Sequence, residues 1–294
     1  MGSELANAAI RWFDEHARDL PWRRAGTTPW AILVSEVMLQ QTPVTRVLPA
    51  YEAWLARWPT PAGLAAESPA EAIRMWGRLG YPRRALRLHE CARALVAEHG
   101  GEVPSDLDAL LALPGVGGYT ARAVAAFAFG QRHPVVDTNV RRLVARVGGA
   151  PDAGPATTAA DLAATEALLP SRPAVAARAS AALMELGALV CTARAPRCAD
   201  CPLWRRCGWF GAGLSESESG RQSRRPQRYA GTDRQVRGIL LGALREASGP
   251  VSRARLDLLW TDEAQRVRAL AGLLHDGLVV EVGADRYALP GSAA

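Results

Sequence analysis

The chain has no lysine: all 35 of its Lys-plus-Arg positions are arginine. Any mechanism that needs a side-chain amine to form a Schiff base is thereby excluded. Nor does it contain an apolar run of the roughly 18 residues that a membrane span requires. Its start, Met1-Gly2-Ser3-Glu4, lacks the charged and apolar blocks of a signal peptide, which points to the cytoplasm. Cysteine is scarce, with five residues in 294, and four of them crowd into positions 191 to 207. Such crowding argues against a disulfide framework and for a metal. The fifth, Cys91, lies on a helical pattern where a lone cysteine packs as core.

What is present is a chain long enough for two or three domains, with a formal net charge of +6 and a pI near 9.5. Arginine offers a planar donor fork that suits phosphate oxygens. A basic balance of this size is a general pointer to nucleic acid, although arginine-rich and alanine-rich usage also follows genome composition.

The chain is organised around Leu113-Pro114-Gly115-Val116-Gly117-Gly118-Tyr119-Thr120. Ser105 reads as an N-cap followed by Leu107, Leu110 and Leu111 at helical spacing, so a helix is expected to stop at Pro114 and another to restart near Tyr119. Gly115, Gly117 and Gly118 lack the Cβ that blocks unusual φ values or close backbone approach. A turn of this kind at a helix N-terminus suits a phosphate, and it serves equally as a packing turn between two helices. Asp137 follows Val135-Val136 and precedes Val140, Leu143 and Val144, the position of an N-cap. Capping and catalysis are compatible in one carboxylate.

Earlier in the chain, Ile32, Leu33, Val37 and Met38 form an apolar helical face around Ser35 and Glu36, ending at Gln40-Gln41-Thr42-Pro43. A carboxylate on a helix is usually a solvated surface group. Facing a closed pocket, Glu36 would instead have its pKa raised by desolvation and be suited to act as an acid. Leu79-Gly80-Tyr81-Pro82-Arg83-Arg84 combines an aromatic with two cations, a composition for stacking on bases and touching phosphates as well as for ending a helix.

Cys191, Cys198, Cys201 and Cys207 are separated by six, two and five residues. Zinc sites usually join two short knuckles, whereas four thiolates in one compact loop suit a cubane iron-sulfur cluster in which each iron takes one cysteine. Arg194, Arg197, Arg205 and Arg206 flank that loop. Residues 211–230, rich in Gly, Ser, Glu and Arg, read as a linker, and 231–294 read as three helices and a hairpin, the pattern of a winged helix. That tail is equally a packing appendix that never touches DNA.

Taken together, the hairpin, the aspartate of Val136-Asp137 and the cysteine group resemble the helix-hairpin-helix DNA glycosylase superfamily over about residues 1–210. Within it the chain most resembles the MutY-type adenine DNA glycosylases, through Asp19-Leu20-Pro21-Trp22-Arg23, the stretch Val34-Ser35-Glu36 to Gln40-Gln41-Thr42, Leu79-Gly80-Tyr81, and Glu185-Leu186-Gly187 to Cys191.

The resemblance implies an all-α, two-lobed fold: a six-helix barrel domain at 26–133, an iron-sulfur cluster domain from 1–25 and 134–210, and then the linker and the small C-terminal domain. It implies that the four cysteines hold a [4Fe-4S] cluster. Its substrate is double-stranded DNA with adenine opposite 8-oxoguanine or guanine, flipped out of the stack, met by a monomer on bacterial nucleoid DNA. By the same resemblance, Glu36 protonates adenine at N7, Asp137 steadies an oxocarbenium-like sugar, Tyr119 assists and Asn139 orders the site. Arg18, Leu20, Trp22 and Glu185 match positions that contact adenine. Gln41 and Tyr81 match residues that enter the base stack, while Gly115, Gly117 and Gly118 grip the backbone.

Relatives that cleave the strand carry lysine where this chain has Tyr119, so the expectation is a monofunctional glycosylase. Two departures from the family pattern stand out: Thr138 in place of the usual glycine, and a C-terminal region of about 60 residues, too short for the usual Nudix-like domain. The competing readings are a thymine or uracil mismatch glycosylase and a non-catalytic iron-sulfur DNA-binding protein.

Overall fold

Helix-forming stretches punctuated by proline and glycine make up most of the chain in the computed structural model, which describes residues 2–150, 156–213 and 229–292. Helix α1 (Gly2–His16) precedes a 3-10 turn at Pro21–Arg23, and α2 (Pro29–Leu39) follows. Next come α3 (Val44–Arg57), α4 (Pro61–Ala65) and α5 (Pro69–Trp76). Three of these helices begin on a proline, where the missing N–H would have gone unpaired in any case. The short α4 starts where the Thr60 side chain accepts from the Gly63 N–H.

After α6 (Arg83–Glu98) come α7 (Leu107–Ala112) and α8 (Gly118–Phe129), the two arms of the hairpin. Ser105 is not the cap of α7. Helix geometry begins at Leu107, so the capping position falls on Asp106, whose Oδ1 accepts from the Ala109 N–H at 2.9 Å. The Ser105 carbonyl instead accepts from Gln131 Nε2. Then follow α9 (Thr138–Val147), α10 (Ala159–Glu166), α11 (Pro173–Leu189) and the single turn α12 (Gly208–Gly211). The expected linker at 211–230 falls largely outside the described residues. The chain resumes with α13 (Asp233–Glu246), β1 (Val251–Ser252), α14 (Arg253–Asp257), α15 (Glu263–His275), β2 (Val280–Glu281) and β3 (Arg286–Ala288).

Two units divide these elements. The first gathers the described residues of Met1–Glu36, Pro104–Ala112 and Val116–Gln222. Its core joins α1, α9 and α11 through Leu5, Phe13, Val140, Leu143, Leu183 and Leu186. Between them lie Ala6, Ala9, Ala176, Ala179 and Ala182, all fully buried, whose small side chains let the helix backbones approach closely.

The second unit holds Val37–Val103, Leu113–Gly115 and the described residues of Ser223–Ala294. Trp54 anchors it, packing edge-on against Trp58 at 4.7 Å and Trp76 at 5.7 Å. The C-terminal segment forms three helices and a small antiparallel sheet of order β1-β3-β2, in register Val251↔Tyr287 and Val280↔Ala288. The segment has the three helices and the hairpin expected of it, and β1 adds a third strand. It is also continuous with the rest of its unit, because Val236, Leu240 and Leu244 of α13 share one core with Ala70 and Ile73 of α5. Arg74 donates to the carbonyls of Arg245 and Ala247, and Arg245 returns a bond to the Ile73 carbonyl.

Candidate active site and cysteine loop

Helix α2 has no polar face. Trp30, Ala31, Ile32, Leu33, Val34, Val37 and Met38 are all buried, and a helix apolar all round is drawn wholly inside. Glu36 goes with it and is only 5% exposed. Burial pushes its carboxyl up to about 7, the Tyr119 hydroxyl that donates to it opposes that shift, and the nearby Asp137 charge adds to it. Tyr119, on the first turn of α8, is itself raised well above the usual phenol value by burial and by the two carboxylates, so it keeps its proton.

Asp137 caps α9. Its Oδ1 accepts from the Val140 N–H at 2.7 Å and its Oδ2 accepts from Asn139 Nδ2 at 2.8 Å. Asn139 is held in turn by Arg142, whose Nη2 donates to Asn139 Oδ1 at 2.9 Å and to the Gly187 carbonyl at 2.7 Å. Arg142 Nε reaches the Cys191 carbonyl at 2.8 Å, so one guanidinium ties the aspartate cap to the start of the cysteine loop. The close approach needs glycine at 187: a Cβ there would lie 2.7 Å from the Asn139 carbonyl oxygen.

A second buried carboxylate lies on α11. Glu185 is fully buried and accepts from the Arg18 backbone N–H, from Arg18 Nε and Nη2 at 2.7 Å each, and from Arg23 Nη2 at 3.0 Å. Burial alone would raise its pKa, but the arginine hydrogen bonds outweigh that and hold it at about 2. Leu20, the residue before the 3-10 turn, and Trp22 within it are both buried and lie between Arg18 and Arg23 in the chain.

Of the expected site residues, Glu36, Tyr119, Asp137, Asn139, Arg18 and Glu185 therefore belong to one unit with Leu20 and Trp22. Arg23 was missed by the sequence reading. It bonds Glu185, lies over the Phe13 ring at 5.3 Å and acts through its charge on Glu36. Its signal was the first cation after the proline break, read only as part of a motif.

In the hairpin, Gly115 has φ +77° and a Cβ there would meet the Arg87 Cβ at 2.7 Å, so glycine is required on both counts. Gly117 is extended, with no protein atom within 4 Å of where a Cβ would stand. Gln41 and Tyr81 are exposed in the other unit, each with positive φ.

The four loop cysteines line one hollow together with Arg146, Trp204, Trp209 and Phe210, and none forms a disulfide. Arg146 Nη1 points at Cys191 Sγ from 3.5 Å and stacks over Trp209. No three metal-binding side chains among the described residues converge as they would on a single ion. Four thiols lining one hollow are a donor set that fits a group with several metal atoms, one per thiolate. Cys91 is buried, and burial pushes its thiol up to about 12, as a core cysteine requires. Among the described residues no helix is long and apolar enough to cross a membrane.

Residues 34–166 match the family model described as HhH-GPD superfamily base excision DNA repair protein. The chain is 58% identical over 284 residues to a Mycolicibacterium smegmatis protein named adenine DNA glycosylase, covering 96% of this chain and 94% of that one. A human protein of the same name is 43% identical over 210 residues, covering 67% of this chain and 38% of its own length. Among solved structures, a thermostable thymine-DNA glycosylase superposes with a TM-score of 0.64 at 27% identity, over 72% of this chain and 97% of that one.

Proposed function

The chain belongs to the adenine DNA glycosylases of the HhH-GPD superfamily of base excision DNA repair proteins, and we propose that Glu36, Asp137 and Tyr119 carry its reaction. The enzyme removes adenine from DNA by hydrolysing the N-glycosidic bond and leaves an abasic site. The observation that carries the assignment of roles is the pairing of a buried, proton-holding Glu36 with the capping carboxylate of Asp137 in one unit.

Adenine inside a duplex is unreachable, so it is flipped out before reaction. Glu36 in its acid form gives its proton to N7, which lets the purine depart with the bonding pair of the C1′–N9 bond. The sugar takes on positive charge as the base leaves, and the Asp137 carboxylate, held by Val140 and Asn139, stabilises it. Water then adds to C1′ and surrenders a proton to the carboxylates, restoring the acid. Tyr119 keeps its proton and fixes Glu36 through their hydrogen bond. With no lysine in the chain, no side-chain amine attacks C1′, and the enzyme is monofunctional. Arg18, Leu20, Trp22 and Glu185 line the adenine side of the pocket, and Gly115, Gly117 and Gly118 meet the backbone phosphates.

Cys191, Cys198, Cys201 and Cys207 are the residues that would hold a [4Fe-4S] cluster, which when bound cross-links four points of the loop. Iron content and visible absorbance of the purified protein test this. The preferred substrate carries adenine opposite 8-oxoguanine or guanine, bound by a monomer. End-labelled duplexes with adenine opposite each, and with thymine or uracil opposite guanine, test the assignment. Abasic product is expected from the adenine duplexes, with strands intact until alkali is added. Release confined to thymine or uracil would sink the adenine reading, and nicking as fast as base release would sink the monofunctional one.

A further inference from the structure

Among the described residues three amino acids other than glycine hold a positive φ: Gln41 at 53°, Tyr81 at 47° and Asp285 at 54°. L-residues enter this region at a conformational cost, and such backbone persists where its surroundings over-determine it. Two of the three are the residues read as entering the base stack. They lie forty positions apart, and one side chain holds both.

That side chain is Arg84, on the first turn of α6. Its Nη1 donates to the carbonyls of Val37 at 2.9 Å and Met38 at 3.1 Å in the last turn of α2, and to that of Gln40, just past the helix end, at 2.6 Å. Its Nη2 donates to Thr42 Oγ1 at 3.0 Å and to the Gly80 carbonyl at 3.1 Å. Gln41 is thus gripped through the residue on either side, and Tyr81 through the residue before it. The same guanidinium lies over the Tyr81 ring at 5.2 Å. Gln41 and Tyr81 remain exposed, Tyr81 by 49%. A flat fork with several donors can serve two stretches of chain at once, in a geometry that a compact ammonium does not match.

We propose that Arg84 is a positioning residue that presets Gln41 and Tyr81 as a pair, so that both side chains enter the base stack without first ordering their loops. Preorganisation of this kind removes an ordering cost from the bound state. The inference rests on the reading that these two residues enter the stack.

The test uses the full chain and a duplex in which 2-aminopurine replaces the target adenine, its fluorescence rising as the base unstacks, with single-turnover adenine release measured in parallel. Arg84→Lys and Arg84→Met are expected to lower the fluorescence rise and slow release on the order of tenfold to a hundredfold, the scale on which a misplaced group costs rate. Adding either to the Gln41→Ala/Tyr81→Ala double variant is expected to cause little further loss, because all of them act on one step. A duplex whose adenine faces an abasic analogue, already loosened from the stack, is expected to narrow the deficit. The pH profile set by Glu36 is expected to stay in place.

A deficit that persists in full on the loosened duplex, or that multiplies with the Gln41→Ala/Tyr81→Ala double variant, would overturn the proposal. Harm from Tyr81→Ala and Gln41→Ala with none from the Arg84 variants would overturn it while leaving the stacking reading intact. No harm from any of them would remove both. Should Arg84→Met fail to fold by thermal melting, Arg84→Lys and Thr42→Val, which deletes a single acceptor, carry the same comparison.

Discussion

Two buried glutamates in the same unit have their pKa values moved in opposite directions. Glu36 on α2 and Glu185 on α11 are 5% and 0% exposed, and burial pushes both toward the neutral acid. Glu36 rises to about 7, whereas Glu185 is held at about 2. The difference is the partner set. Glu185 receives hydrogen bonds from two guanidiniums and a backbone N–H, while Glu36 has a phenol that keeps its own proton. Burial therefore makes an acid only where cations are withheld. Arg23 shows how they are withheld, since it is hydrogen-bonded to Glu185 and reaches Glu36 through space alone. The ion cluster at Glu185 keeps a cation from neutralising the proton donor next door.

The largest expected effect breaks the acid half of this pair. Glu36→Gln is expected to slow single-turnover adenine release by about 10² to 10⁴, the usual contribution of a general acid, with duplex binding by anisotropy retained. The stability effect has a definite sign. The folded-state pKa of Glu36 is raised from 4.5 to about 7, so its contribution is fully present below about 4.5 and is lost as pH rises through about 7. Glu36→Gln removes a cost that appears only at higher pH. Its melting temperature should match or trail the native chain near pH 4.5 and overtake it by pH 8, by the equivalent of a few kcal/mol. Parallel melting curves across that range would show that Glu36 is not the buried acid described.

Glu185→Ala breaks the other half. It strands Arg18 and Arg23 without their carboxylate, at an expected cost of about 2–4 kcal/mol, under the full range for a buried pair because Arg18 is partly solvated. The pH sign here is opposite. The pKa of Glu185 is depressed from 4.5 to about 2, so its stabilisation is present above about 4.5 and lost as pH falls through about 2. Arg23, released from Glu185, becomes available to Glu36, and the alkaline limb of the rate profile should move to lower pH. A limb that stays put, in a variant of reduced melting temperature, would confine the cluster to structure.

The two halves were unequally legible in the sequence. The hairpin, the cap at Asp137 and the cysteine loop announce themselves because glycine, N-cap and ligand spacing are local signals. Glu36 was harder to read, since a helical carboxylate is ordinarily solvated. The clue was that every neighbour from Trp30 to Met38 other than Ser35 is apolar, which leaves no face for water. Arg23, Arg84 and Arg142 could not be read at all as hubs. Each has partners far away in sequence, and in a chain whose Lys-plus-Arg positions are all arginine nothing marks three of them. Ser105 and Asp106 show the remaining limit: both are good caps, and only the helix start at Leu107 decides between them.

The smallest expected effect sharpens the comparison most directly. Tyr119 donates to Glu36 as the arginines donate to Glu185, yet a neutral phenol stabilises the charged carboxylate far less than a guanidinium does. Tyr119→Phe deletes that donor and changes little else in volume. The proton on Glu36 is then opposed by one fewer group, so its pKa should move further above about 7 and carry the alkaline limb of adenine release upward. A neutral hydrogen bond is worth about 0.5–1.5 kcal/mol, so the rate at pH 6 should change by less than about tenfold. Movement of the limb to lower pH would mean that Tyr119 holds the protonated form of Glu36 rather than its anion. The contrast between the two glutamates would then rest on the arginines at Glu185 alone.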